Sequence, residues 1–179
     1  LPGGPPPPGV ALPGAAARER ARAALRAGSL RFAEWIERSG LRAALSAALP
    51  QLVYFAHWIT PVLVPQRFNA RFFLIRAPED AAVVPDRHEV LRHRWLAPAE
   101  AIALRRQGAI HMMDPTVRNL ELLGAFASTG EALRELKGRE VRAILPQLQI
   151  QPDGSRRLIY PWDADYEQAP DGARGDQPA

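Results

Sequence analysis

The sequence predicts an α+β domain, and three observations predict it. Alanine- and arginine-rich stretches with helical stop signals come first. Short aromatic and β-branched runs bounded by prolines follow, and helical patterns with clear caps then return ahead of a final pair of strands. Strands and helices thus come in blocks instead of alternating as βαβ units, which points to α+β or a mixed-sheet sandwich. The 179 residues suffice for one domain with a core and tails.

Residues 1–14 hold six prolines and four glycines, so they read as a linker. Residues 15–49 read as a helical insert. "AAARERARAALRAG" has the best helix-forming composition in the chain and stops at Gly28. Ser29 is placed to cap "SLRFAEWIERSG", which Gly40 closes, and a third turn ends at Pro50. Residues 50–166 carry the remaining strands and helices. "QLVYFAHWIT" and "ARFFLIRA" read as strands joined by a loop between Pro61 and Pro65. "HEVLRHRWLA" reads as a third strand, with Val90, Arg92 and Arg94 on one face and Glu89, Leu91, His93 and Trp95 on the other.

Pro98 suits the first position of a helix that Gly108 ends. In "MMDPTVRNLELLGAFA", Asp114 is placed to cap, and Val117, Leu120, Leu123 and Ala127 form a stripe. Ser128 with Glu131 makes a capping box for the next helix, which runs to Gly138. "EVRAILPQLQI" and "RRLIYPWD" read as strands around the turn "QPDGS". Residues 167–179 have the composition of a disordered tail.

Composition narrows the chemistry. There are no cysteines, which excludes a disulfide scaffold, a cysteine zinc site and a cysteine nucleophile. Four scattered histidines make no metal-spaced pair. Residues 1–152 hold 20 basic against 13 acidic side chains, a balance of +7, and residues 153–179 hold 3 against 6, a balance of −3. The basic residues are spread instead of gathered into a stripe, so no nucleic-acid partner is expected. Only Lys137 is lysine, a bias that reads as GC-rich coding and discounts arginine number in favour of arginine position. The most apolar stretch, "AALSAALPQLVYFA", is too short and too interrupted to span a bilayer, so no membrane partner is expected.

Position singles out Arg67 and Arg71, which flank the junction between the first two strands. They suit phosphate oxygens or, equally, a neighbouring acid. His57 could bond a ligand or serve the strand. Glu89 could act in catalysis or pair with Arg87 or Arg92. Trp58 and Trp95 read as core. Asp163, Asp165 and Tyr166 read either as a C-terminal latch or, in preference, as a solvated turn.

"HWITP…RFNARFFL", "HEVLRHRWLAPAEAI", "DPTVRNLELL" and "YPWDADY", in this order, resemble the downstream half of a Nudix hydrolase, of the branch containing the acyl-coenzyme A diphosphatases and their bacterial relatives. The resemblance runs from about Ala15 to Tyr166. It departs at Asn69 and Ala70, where the branch usually has Asp and Thr, and at Met113 and Asp114, where a proline-rich turn is usual. It implies an incomplete Nudix-type α/β/α sandwich with a mixed sheet and a helical insert. It also implies a parent enzyme hydrolysing nucleoside diphosphate derivatives with Mg²⁺ or Mn²⁺, and a nucleotide- or coenzyme A-type ligand. In such a protein the strand junction faces the substrate, with Arg67, Arg71 and His57 as binding residues and Glu89 as an acid assisting the water or the metal.

The family's metal-binding helix runs Gly, five residues, Glu, seven residues, Arg-Glu, aliphatic, any, Glu-Glu, any, Gly, aliphatic. No segment here fits. Arg18-Glu19 precedes Arg20. Arg134-Glu135-Leu136 runs into Gly138-Arg139, and Arg139-Glu140-Val141 into Ala143-Ile144. Hard divalent ions need clustered carboxylates, so no metal is expected to bind this chain tightly, and the chain alone is expected to be inactive. The start at Leu1 and the Pro-rich opening read as the edge of a longer, cytoplasmic bacterial protein whose catalytic half is missing. The alternative is a non-catalytic nucleotide- or coenzyme A-binding module. A fragment of this kind is also expected to leave a strand edge unpaired and an apolar face uncovered.

Overall fold

The computed structural model describes residues 13–77, 83, 85, 88 and 90–166. The proposed linker and tail lie almost wholly outside them. The architecture is α+β, with helices around a mixed three-stranded sheet and a separate two-stranded hairpin.

Helix α1 (Ala15–Arg26) ends in a left-handed Gly28 at φ 69°. Ser29 does not cap the next helix. Its amide and hydroxyl both donate to the Ala24 carbonyl, closing the end of α1. Helix α2 (Phe32–Arg38) therefore starts three residues later, with Arg31 as an N-cap that offers no side-chain bond. Gly40, again left-handed, separates it from α3 (Arg42–Ala48), and a 3₁₀ turn (Leu49–Gln51) holding Pro50 leads to the sheet.

Strand β1 (Val53–Ile59) pairs antiparallel with β2 (Asn69–Leu74) at the edge, and parallel with the short β3 (Ala143–Ile144) on its other side. Phe55 has no partner in the ladder: Tyr54 faces Phe73 and Ala56 faces Phe72. This bulge shifts the phase of alternation. Val53, Ala56 and Trp58 are buried, while Tyr54 and His57 fall on the opposite face. Ala56, Trp58 and Tyr160 form the core cluster, with Phe72, Ile144 and Leu158 packed on it. On the other face of β2, Phe73 is half exposed, and Ile75 just beyond the strand is exposed as well.

The third predicted strand does not form within the described residues 90–97, which carry neither helix nor strand. Its alternation would put Arg92 and Arg94 on one face and His93, between Leu91 and Trp95, on the other. Trp95, expected in the core, is 67% exposed.

Helix α4 (Pro98–Arg106) begins at proline, with Glu100 accepting the Ala97 amide, and ends at left-handed Gly108. Asp114 does not cap α5 (Asp114–Gly124). It is the first helical residue, and its carboxylate accepts from Arg105 at 3.0 Å, tying α4 to α5. Helix α6 (Thr129–Leu136) keeps half of the expected box: Ser128 Oγ accepts the Glu131 amide, while the Glu131 carboxylate accepts the amide of Ala127, one residue before the cap.

The predicted strand over 140–150 is two. Pro146 cannot donate to a ladder, and the chain switches there from β3 to β4 (Gln147–Ile150). Strand β4 forms a hairpin with β5 (Arg156–Ile159). Gly154, at φ 81°, makes the tight turn and donates to the Gln151 carbonyl. Past β5, the stretch weighed as latch or solvated turn is a latch. The Tyr166 hydroxyl donates to the Leu145 carbonyl at 2.9 Å, Arg157 pairs with Asp165, and Asp163 accepts the Tyr160 amide. Among the described residues, no helix is long and apolar enough to cross a membrane.

Candidate functional site

The sheet separates two candidate surfaces. On the face away from the core, the register sets Arg71 opposite His57. His57 Nε2 bonds Asn69 Oδ1. In the tautomer that carries its proton on Nε2, the ring donates to this oxygen and leaves Nδ1 as acceptor. The Tyr54 ring lies 6.4 Å from the imidazole and 5.3 Å from Phe73. Two of the three binding residues expected from sequence, His57 and Arg71, are thus brought together, with Asn69 between Nε2 and the strand edge. Arg71 is exposed and has no acidic partner among the described residues.

Arg67 is engaged differently. Its Nε donates to the Thr60 carbonyl at 3.1 Å, while Thr60 and Phe68 exchange bonds beside it. This arginine therefore closes the loop between β1 and β2 as well as standing at its mouth. Glu89, expected as the catalytic acid, lies outside the described residues.

The second surface is an open cleft of about 650 Å³ on the core side of the sheet. Helix α5 supplies Arg118 and Asn119, the segment leading into β3 supplies Arg139 and Arg142, and the turn after β5 supplies Trp162. Asn119 is the one buried polar residue among the described ones, at 6% exposure. Its Oδ1 accepts the Trp58 indole N–H at 3.0 Å, and its Nδ2 has no partner among the described residues. Tyr160 stacks on Trp162 with centroids 5.0 Å apart and planes 3° from parallel. Trp58 meets both rings edge-on.

Arg118 lies 4.8 Å over the Tyr160 ring and pairs with Glu121 at 3.0 Å. Tyr160 foremost, and Glu121 after it, raise its pKa above the ordinary arginine value against the opposing effect of burial. Arg142 pairs with Glu140 at 3.0 Å, which likewise raises its pKa. Arg139, exposed at the rim, has no acidic partner among the described residues.

Sequence reading missed this cleft. Asn119 sits outside the apolar stripe drawn for its helix. Trp162 was visible only as part of "YPWD", where nothing in the spacing tells that its ring packs against a tyrosine two residues away. The donor set for a divalent ion does not fit: among the described residues, no three His, Asp or Glu side chains come together. Comparison with family models, with curated proteins and with solved structures found no match to this chain.

Proposed function

We propose that this chain binds a nucleotide- or coenzyme A-type diphosphate without hydrolysing it, as the C-terminal part of a Nudix-type domain whose metal-binding helix is not in these residues. One observation carries the reading: the β1–β2 register gathers His57, Asn69 and Arg71, which has no acidic partner among the described residues, on one face beside the Tyr54 and Phe73 rings. An exposed guanidinium suits a phosphate oxygen, the imidazole supplies an adjustable polar contact, and the rings offer a surface for a base or pantetheine arm. The segment resemblance to the acyl-coenzyme A diphosphatase branch supports the same ligand class.

Turnover is another matter. Attack of water on a phosphorus of the diphosphate needs divalent ions held by carboxylates to offset charge and align the nucleophile. The described residues assemble no such set, so no hydrolytic step is derived for this chain.

The test is calorimetric titration of coenzyme A and of ADP into the chain, followed by a phosphate-release assay with Mg²⁺. Saturable binding is expected. Loss of one charge-assisted contact is worth roughly 1.5–3 kcal/mol, so Arg71→Ala should weaken binding by about 10- to 100-fold. Absence of binding to either ligand overturns the reading, and robust turnover overturns the non-hydrolytic part of it.

A further inference from the structure

We infer that the cleft on the core side of the sheet is a second, separate binding site, for a planar aromatic ring that carries one carboxylate. Its stacking platform is Trp162, a residue 57% exposed. An exposed indole is unremarkable when mobile, but this one is held. Tyr160 lies parallel beneath it and Trp58 meets it edge-on at 6.4 Å. The turn that carries it is closed twice, by the Asp163 amide donating to the Tyr160 carbonyl and by Asp163 Oδ2 accepting the Tyr160 amide, each at 2.9 Å. A ring fixed in this way gives stacking area at little further ordering cost. The volume of about 650 Å³ lies within the range of small-ligand sites.

Charge decides what the ring must bear. Three arginines and two glutamates line the cleft. Glu121 engages Arg118 and Glu140 engages Arg142. Among the described residues of the cleft, the unmatched charge is a single positive one, and it resides on Arg139. A monoanion is balanced there. A diphosphate would bring further negative charge against Glu121 and Glu140 with no second free cation to meet it among the described residues of the cleft. A carboxylate also matches the planar fork of a guanidinium, which can take it in two parallel hydrogen bonds. The chemistry is therefore that of an aromatic acid, distinct from the ligand proposed for the opposite face. Such a group could arrive as a small free acid or as the C-terminal residue of a peptide ending in an aromatic side chain.

Calorimetry on the full chain tests this with 2-naphthoate as the free acid and Gly-Gly-Trp with a free carboxylate as the peptide. Saturable binding of either supports the site and names its source, and binding of neither overturns it. For the probe that binds, the uncharged amide counterpart should bind about ten-fold more weakly or worse, as should Arg139→Gln, since each removes one charge-assisted contact. Trp162→Leu should bind at least ten-fold more weakly too. Both substituted residues are exposed, so circular dichroism should show the fold intact. Unchanged affinity in either variant overturns the inference. Saturating coenzyme A should not displace the probe, because the two faces are independent; displacement overturns the inference while leaving the proposed function standing. Failure of coenzyme A to bind at all would count against the proposed function alone.

Discussion

Replacing Trp58 by Phe isolates a single buried bond. The indole N–H donates to Asn119 Oδ1 at 3.0 Å, Trp58 is 4% exposed, and Asn119 Nδ2 has no partner among the described residues. Phe keeps an aromatic ring in the cluster with Tyr160 and Trp162 but removes the donor. The orphaned Oδ1 should cost about 1–3 kcal/mol. The lost ring atoms add on the order of 1 kcal/mol. For a chain of this size a loss of ~2–4 kcal/mol lowers Tm by roughly 4–16 °C.

Asn119→Leu should behave otherwise. It leaves the indole donor unpaired, but it also removes an amide nitrogen that was buried without a partner. Two effects of about 1–3 kcal/mol oppose each other, and the net change should stay within ~1 kcal/mol. The double variant has no orphan of either kind and should be more stable than Trp58→Phe alone, a coupling read from the double-mutant cycle. Urea unfolding followed by far-UV circular dichroism measures all four chains. The reasoning fails if Asn119→Leu destabilises as much as Trp58→Phe, or if the second substitution brings no recovery.

Two further outcomes follow from the C-terminal region. Tyr166→Phe removes the hydroxyl that donates to the Leu145 carbonyl and should cost about 0.5–1.5 kcal/mol; limited proteolysis should then cut after β5 faster than in the parent chain, and equal rates would discount the latch. Asp153 accepts the Ser155 amide at 2.9 Å, and bonding to Ser155 lowers its pKa below the usual 3.8. A carboxylate lowered by folding stabilises the fold above its unfolded pKa and loses that contribution as pH falls through the folded value. Asp153→Asn should therefore flatten the acid side of a Tm-against-pH profile below 3.8, and an unchanged acid slope would show that the turn bond contributes nothing.

Local chemistry was legible where a residue's partner lies a few positions away. Gly28, Gly40, Gly108 and Gly138 all take the left-handed φ that ends a helix, and Ser128 caps with Glu131 at the expected spacing. The first two strands were legible from their aromatic and β-branched runs. Failures came where two local options were both chemically sound. Ser29 could cap forward or close backward, and the end of α1 holds it. Asp114 could cap its own helix or meet Arg105, and the α4–α5 packing chose the arginine. The apolar content of 88–97 suggested a strand, but the described residues 90–97 form none.

The sequence by itself determined the α+β composition, the helix ends and the hairpin turn, because each depends on neighbours within a few residues. Only the tertiary structure decided that a bulge at Phe55 turns Trp58 inward and His57 outward. It alone brought Asn119 to that indole N–H, and it alone set the Tyr160–Trp162 stack in one cleft with Arg139, which has no acidic partner among the described residues. Those pairings join residues up to 61 positions apart. No periodicity along the chain encodes them, since they exist only once the sheet and α5 share one core.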